Sequence, residues 1–328
     1  MQSTRDFLER FQALIYFAAV ALAACTALLL HGTQAWEVAI TPALAVMLYV
    51  TFLQVPLPAL RGAFTQRRFL AALLVTNFVA IPLLVGALSF ALPADPLLRF
   101  GVLLVLLAPC VDYVVTFAHM GKADARLLLA STPVLLLAQM LLLPLYLGIM
   151  LGAEVAALVQ AGPFIEAFVW LIAVPLLLAV CTQGWAARCA LGARVNAGLG
   201  LLPVPATALV LFVVIAAVVP QMAAAHDAAL RVVPIYAAFA VLAPVLAWWV
   251  AQAFKLETTA ARAVAFSGST RNSLVVLPLA LAVPGAIPVL PAVIVAQTLV
   301  ELLSELIYIR CMPKLNSSSS QAASDAAQ

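Results

Sequence analysis

A few charged, polar and thiol side chains lie inside long apolar stretches of this 328-residue chain. Cys110 and Asp112 lie within the segment Leu106–Tyr113, and Arg271 lies within the segment Phe266–Ser273. An unpaired charge at the centre of a bilayer costs roughly 2.5–3.5 kcal/mol on insertion scales. We therefore expect Asp112 and Arg271 to pair, either as a static structural contact or as a pair that changes with substrate or proton occupancy.

A second set of polar groups is spaced four residues apart, at Gln297, Glu301 and Glu305. On an α-helix this spacing places them on one face, with a rise of about 6 Å per step. Carboxylates there must face a helix bundle or a water-filled path, so Glu301 and Glu305 are candidate proton carriers, as is Asp112. Two other interpretations of Glu305 stay open: solvation near the membrane surface, or a pair with Arg310.

Cys110 follows Pro109 and lies two residues before Asp112. A cysteine in an apolar helix usually packs as a small hydrophobic residue, which is our interpretation of Cys25 and Cys181. The position of Cys110 favours a further role, because a thiolate is a soft ligand that selects thiophilic partners.

The composition requires lipid as the solvent for most of the surface. Hydrophobic residues make up 66% of the chain and charged residues only 9%, whereas soluble domains carry about 25% charged residues. No basic stripe or zinc spacing indicates nucleic-acid binding. The five cysteines form no C-x-x-C pair, which argues against a disulfide framework. We expect no cofactor and no metal centre.

Ten apolar runs are close to the roughly 20 residues that a membrane-spanning helix needs. Open strands cannot lie in lipid, and the runs do not alternate, so the predicted fold is an all-α membrane protein. The predicted spans are 11–31, 36–55, 69–92, 97–119, 125–150, 165–187, 198–220, 229–252, 262–283 and 288–310.

The distribution of basic residues predicts the orientation. Of the 16 Lys and Arg residues, all but Arg99, Arg231 and Arg271 fall on one side of a ten-span arrangement. The positive-inside rule makes that side the cytoplasm, so both termini are expected to be cytoplasmic in a bacterial-type inner membrane. Residues 1–315 are predicted to form a single transporter domain, and the Ser/Ala-rich residues 316–328 a disordered cytoplasmic tail.

The two halves of the chain resemble each other weakly. Related residues recur at similar spacing: Pro42 and Pro203 (161 residues), Pro82 and Pro244 (162), and Ala138-Gln139 and Ala296-Gln297 (158). The repeats would cover about 8–155 and about 160–312. Because each half holds five spans, an odd number, the second half enters from the opposite side, an inverted repeat typical of secondary transporters.

The fourth span of each half, spans four and nine, is predicted to be broken. Pro109 removes a helix hydrogen bond in span four, and Gly268 with the hydroxyl residues around it loosens span nine. Broken helices at mirrored positions leave N–H and C=O groups that can meet a substrate. The simpler alternative is a pair of kinks without function.

The segments Ala108–Cys110, Arg271–Ser273 and Val300–Glu301 resemble the bile acid/sodium symporter superfamily, and most closely its arsenite-efflux permeases. The resemblance covers about residues 8–312. It implies ten helices in two inverted five-helix repeats, with a panel domain and a core domain in which broken helices four and nine cross. It also implies arsenite or its hydroxide as substrate and export driven by the proton gradient.

The resemblance also implies roles for individual residues. Cys110 would be the arsenic–thiol contact, and Glu301 the glutamate of span ten. In the bile-acid branch, span nine resembles Glu-x-Gly-x-Gln-Asn-Ser, whose Glu and Gln help to hold sodium. Ser267 and Arg271 take those two positions here, so we expect Arg271 to supply the charge that sodium supplies elsewhere. The candidate residues are, for substrate binding, Cys110, Asp112, Arg271, Asn272 and Ser273, and for the path, Thr132, Gln139 and Gln297.

The favoured hypothesis is a proton-linked arsenite exporter. The alternative is a carrier for a small organic anion, in which Arg271 would bind a carboxylate with two parallel hydrogen bonds. A third hypothesis, an intramembrane enzyme with Cys110 as nucleophile and Asp112 or His119 assisting, lacks a Ser-His or metal motif. The substrate, the direction of transport, the coupling ion and the oligomeric state stay open at this point.

Overall fold

The computed structural model of the chain describes residues 2–30, 32–54, 66–111, 113–156, 162, 166, 169–281, 283 and 287–316. These residues are helical apart from short connections, and no β-strand occurs among them. The α-helices are α1 (Gln2–Leu29), α2 (Ile40–Leu53), α3 (Arg67–Val75), α4 (Ile81–Ser89), α5 (Pro96–Leu106), α6 (Val114–Met120), α7 (Ala125–Ala156), α8 (Val174–Ala186), α9 (Ala190–Leu199), α10 (Pro203–Ala253), α11 (Thr258–Ser269), α12 (Ser273–Leu281) and α13 (Val289–Cys311).

Eight helical segments in the described part of the chain are long and apolar enough to cross a membrane. They are Arg10–Leu29, Thr33–Leu53, Arg67–Ser89, Ala125–Leu151, Val169–Ala186, Pro203–Pro220, Ala225–Ala253 and Val289–Lys314. Each lies within several residues of a predicted span, which confirms an all-α, multi-pass membrane protein. The predicted spans that are missing from these eight are 97–119 and 262–283, because both are interrupted.

The predicted span 198–220 began too early. Residues Ala190–Leu199 form a separate short helix, α9. Its N-terminus is capped by Cys189, whose Sγ accepts a hydrogen bond from Gly192 N at 3.3 Å. The hydrophobic run continues through this helix into α10, so hydropathy alone does not separate the two.

The chain divides into two compact units. The first comprises Met1–Leu57, Val159–His226 and Leu274–Val295, and the second comprises Pro58–Leu158, Asp227–Ser273 and Ala296–Gln328. Every polar contact of the candidate site described below lies within the second unit.

In the first unit α2 packs against α8. The hydroxyls of Tyr49 and Thr182 share a hydrogen bond of 2.8 Å. Gln183 Nε2 donates to the carbonyls of Phe52 at 3.3 Å and Leu53 at 3.4 Å. The last carbonyls of a helix have no intrahelical partner, so Gln183 satisfies the C-terminal end of α2.

In the second unit, α3 and α4 are joined by a π-helical turn, Thr76–Ala80. Pro82 follows this turn and has no N–H to donate to Phe78 O, four residues earlier. The hydroxyl of Tyr146 on α7 donates to that carbonyl at 2.5 Å. A proline in a helix is therefore tolerated here because a neighbouring helix replaces the missing donor.

Helix α10 is continuous except at Ala225, whose φ of −121° and ψ of 17° are not helical. This kink separates two of the candidate spans. Pro244 lies in the second part and has no N–H for Ala240 O, which instead accepts a hydrogen bond from the hydroxyl of Tyr308 on α13.

Both predicted helix breaks are present. Helix α5 ends at Leu106 and α6 begins at Val114, and α11 ends at Ser269 before α12 begins at Ser273. Thr270 begins the second break with extended backbone angles, φ −103° and ψ 131°.

The two breaks pair with each other through an isolated antiparallel bridge between Pro109 and Arg271. Two hydrogen bonds flank the bridge: Cys110 N to Thr270 O at 3.1 Å, and Asn272 N to Ala108 O at 2.8 Å. Buried backbone groups need partners, so each break satisfies groups that the other leaves open.

Gly268 has a different role from the one predicted. It lies in the last turn of α11, not in the break. A Cβ at this position would lie 2.5 Å from Ala247 Cβ and 2.9 Å from Thr76 Cγ2. Glycine therefore permits α11 to approach its neighbours closely, and Pro109 with the bridge accounts for the breaks.

Candidate functional site

The site forms around the backbone of Arg271. Bonds from the flanking residues leave the N–H and C=O of a residue at the centre of such an antiparallel bridge pointing away from the opposite segment. Arg271 N donates to Glu301 Oε2 at 2.6 Å, and Arg271 O lies 3.5 Å from the hydroxyl of Tyr113. Helix α13 is thus attached directly to the paired breaks.

Glu301 is the most highly coordinated acid among the described residues. Its Oε2 also accepts from Gln297 Nε2 at 2.7 Å, one helical turn earlier, and its Oε1 accepts from the hydroxyl of Tyr113. Its side chain is 3% exposed. The predicted sharing of one helix face by Gln297 and Glu301 is therefore present as a direct hydrogen bond.

The guanidinium of Arg271 is fully buried and faces oxygen atoms. Its hydrogen bonds run from Nη2 to Asn77 Oδ1 at 2.9 Å, Ser267 O at 2.6 Å and Gly268 O at 2.9 Å, and from Nη1 to Leu106 O at 3.4 Å. These carbonyls belong to the C-terminal ends of α5 and α11, where the helix dipoles favour a cation.

Aromatic packing completes the surroundings of Arg271. The ring of Phe239 on α10 lies 5.6 Å from the guanidinium carbon, a cation–π distance. Asp112, its predicted partner, lies outside the described residues. The described partners of Arg271 are carbonyl and amide oxygens, together with the aromatic ring.

Glu305 is buried, with no exposed surface. Its Oε1 accepts from the Thr270 hydroxyl at 2.6 Å, and its Oε2 has no hydrogen-bond partner among the described residues. Both alternatives for this residue, solvation near the surface and a pair with Arg310, are therefore wrong. The reason is that the helix face carrying Glu301 and Glu305 packs against the break that contains Thr270.

Asn272 and Cys110 are both buried at the bridge. Neither Nδ2 nor Oδ1 of Asn272 has a hydrogen-bond partner within the described part of the chain. Ser273 Oγ and Thr298 Oγ1 share a hydrogen bond of 2.9 Å. The structure thus gathers most of the predicted substrate-binding residues at one point.

The two remaining path candidates lie on α7. The Thr132 hydroxyl donates within its own helix, to Leu128 O at 3.4 Å. Gln139 is buried, and its Oε1 has no hydrogen-bond partner among the described residues. No group of three or more His, Cys, Asp or Glu residues in the described ranges could hold a metal ion.

Comparison with known families identifies the chain. Residues 41–226 match the Sodium Bile acid symporter family, and this range is more than half of the sequence. The chain belongs to this family. A search of curated proteins found no match. The predicted superfamily is thereby confirmed, and family membership makes the chain a membrane transporter for a small molecule or an ion.

Two residues of this symporter-family site were not among the predicted site residues. Tyr113 contacts Glu301 from 188 positions away, and Asn77 contacts Arg271 from 194 positions away. A π turn is often found at functional sites, and Asn77 lies inside one. The sequence signal was present for Asn77, as a polar residue five positions before Pro82. Tyr113 offers only its position beside a break.

Proposed function

We propose that this chain is a secondary active transporter that exports arsenite across a bacterial-type inner membrane in exchange for protons. The observation that carries the proposal is the composition of the paired breaks. They combine a buried thiol at Cys110, a fixed cation at Arg271 and a carboxylate at Glu301 that three donors hold. This is a site with soft-ligand, charge and proton chemistry in one place.

The position of Arg271 supports coupling to protons instead of sodium. Helix C-terminal carbonyls attract cations, and here a guanidinium already occupies the ends of α5 and α11. A free sodium ion would meet this fixed positive charge. The ion that varies during transport is then a proton, and Glu301 is its carrier, with Glu305 and Asp112 as further carboxyl candidates.

The groups beside the bridge support a neutral, hydroxylated substrate. The Asn272 amide offers both donors and an acceptor that lack partners among the described residues. Arsenous acid carries hydroxyls that can bind both kinds of group, and its arsenic is thiophilic, which suits Cys110. Ser273 would add a hydroxyl contact, and Thr132, Gln139 and Gln297 would line the path.

We also propose ten transmembrane helices in two inverted repeats, with both termini cytoplasmic. The two interrupted helices, α5–α6 and α11–α12, would be the spans missing from the eight continuous ones. Adding 162 to the residue numbers exchanges the two hydrogen bonds that flank the bridge and converts Pro109 into Arg271. This offset pairs Gln139 with Glu301, one helical turn from the Gln297 that sequence comparison paired with it.

Arsenite uptake into everted membrane vesicles tests the function, with and without a proton gradient. We expect uptake that needs the gradient and is lost in Cys110→Ser. Cys181→Ser is the matched control, because Cys181 is an exposed cysteine on α8 and should transport like the parent. Gradient-independent uptake, or full uptake by Cys110→Ser, would contradict the proposal.

The family name favours a second candidate, a small organic anion. In that case Arg271 would hold a carboxylate, and Arg271→Lys would lose transport of the anion. The four oxygen contacts of the guanidinium argue against this candidate, because they occupy the donors that a carboxylate would need. Uptake of a labelled bile acid by the same vesicles, in the absence of arsenite uptake, would favour it.

A further inference from the structure

The hydroxyl of Tyr113 lies between two acceptors that belong to different elements. It donates to Glu301 Oε1 on α13, and it lies 3.5 Å from Arg271 O in the second break. A tyrosine hydroxyl has one proton, so it donates to one of these oxygens at a time and can accept from the other side. Tyr113 is 4% exposed, so water does not readily replace either partner.

The other oxygen of Glu301 is already committed. Oε2 accepts from Arg271 N and from Gln297 Nε2, so a proton added to it would point at donors. A proton is therefore best accommodated on Oε1, the oxygen that faces Tyr113. The site of protonation follows from the hydrogen bonds alone.

We propose that Tyr113 is a positioning residue that transmits the protonation of Glu301 to the paired breaks. When Glu301 is ionised, Tyr113 donates to Oε1. When Oε1 gains a proton, it donates to the Tyr113 hydroxyl, whose own proton turns to Arg271 O. Tyr113 keeps one proton throughout, and no covalent bond changes. The inference rests on the proposed function for the purpose of this proton step.

The consequence lies in the second break. In the ionised state Arg271 O has no donor from Tyr113, and in the protonated state it gains one. The bond between the first break and Glu301 also loses its charge, and charge-assisted hydrogen bonds are roughly twice as strong as neutral ones. Protonation thus loosens α13 from Tyr113 and tightens Tyr113 on the second break.

Several titratable groups face Glu301 from the elements packed around it. They are Tyr113 from the first break, Arg271 from the second, Glu305 and Tyr308 on α13, and Tyr236 on α10. Tyr308 is occupied by Ala240 O and Glu305 by the Thr270 hydroxyl. Among the tyrosines in the described ranges, Tyr113 is the one whose hydroxyl donates to a Glu301 oxygen.

Infrared titration of the purified full-length protein in lipid nanodiscs tests this inference without substrate. The band to follow is the C=O stretch of protonated Glu301, assigned by its loss in Glu301→Gln. Tyr113→Phe removes a donor from the ionised form, so the pH midpoint of this band should rise by about 1–2 units. Tyr308→Phe, the same change at a hydroxyl bonded to backbone, should leave the midpoint unchanged. An unshifted midpoint in Tyr113→Phe, or an equal shift in both variants, would overturn the inference.

A second measurement needs no tyrosine variant. The C–O stretch of tyrosine reports whether its hydroxyl donates or accepts, so one tyrosine band of the parent protein should shift with the midpoint of the Glu301 band. That shift should disappear in Glu301→Gln, and a pH-independent tyrosine spectrum would overturn the inference. Shifted midpoints without arsenite uptake would reject the substrate and keep the role of Tyr113. Arsenite uptake with an unshifted midpoint would do the reverse.

Discussion

Two helices of the second compact unit contain a proline whose missing N–H is replaced in the same way. In α4, Pro82 leaves Phe78 O to the hydroxyl of Tyr146. The same arrangement recurs 162 residues later, in Pro244, Ala240 and Tyr308. The scaffold around the crossing point therefore repeats, atom for atom, in sequences that share little else.

The charged groups do not repeat. Glu301 accepts from Arg271 N, whereas Gln139, 162 residues earlier, would face Pro109, which has no N–H. Gln139 Oε1 indeed lacks a hydrogen-bond partner among the described residues. The residue 162 positions after Tyr113 is Val275, which has no hydroxyl. The comparison teaches that one half keeps the scaffold and the other half adds the donors that a buried carboxylate requires.

The largest effect should come from Arg271, where the halves differ by a charge. Arg271→Leu leaves Asn77 Oδ1 and three carbonyls without a donor, and removes the cation near Glu301. We expect destabilisation of about 3–5 kcal/mol, seen as loss of the folded peak in fluorescence-detected size exclusion and a lower Tm. Arg271→Lys should be intermediate, because one ammonium cannot reach all four oxygens. The control is Arg310→Leu, and equal stability of both leucine variants would contradict this account.

Exchanging the acids between the halves should have the next largest effect. Gln139→Glu buries a carboxylate without donors and should cost about 2–3 kcal/mol at neutral pH, with part of the loss recovered at low pH as it gains a proton. Glu301→Gln should keep the fold and remove gradient-dependent transport. Thermal unfolding as a function of pH measures the first variant, and vesicle uptake the second. A Gln139→Glu protein as stable as the parent at every pH would show that the two positions are equally able to hold an acid.

The span positions and the location of both breaks follow from the sequence, because hydropathy and Pro109 are local signals. The partners of Arg271 do not follow. A search for charges suggests a carboxylate such as Asp112, but the observed acceptors are mostly backbone carbonyls, which residue types do not reveal.

The acids on α13 were predictable as a spaced set, and their partners were not. Glu305 has the pattern of an acid near a helix end, yet its burial depends on Thr270, which is 35 residues away. The role of Gly268 depends on Ala247 of another helix. Contacts of this kind are set by packing between helices, and a single sequence contains no measure of that distance.

Gly268 and its counterpart Leu106 both give a carbonyl to Arg271, but their side-chain positions differ. Gly268→Ala places a methyl group 2.5 Å from Ala247 Cβ, which should cost about 1–3 kcal/mol and lower the Tm. Gly148→Ala is the matched control, since no atom lies within 4 Å of the position that its methyl group would take, and it should be neutral or slightly stabilising. The idea of close helix approach fails if both alanines behave alike.

The smallest effects should come from the repeated scaffold, where the halves agree. Tyr146→Phe and Tyr308→Phe each leave one buried carbonyl without its hydroxyl donor, and each should lower the free energy of unfolding by about 1–2 kcal/mol. Because the two arrangements match, the losses should be similar, and because the pairs are far apart in the chain, the double variant should show their sum. Denaturant or thermal unfolding of the three proteins checks this. Unequal losses would mean that the helix containing Pro82 and the helix containing Pro244 depend on their tyrosines to different degrees, and that the two halves share a shape without sharing its energetics.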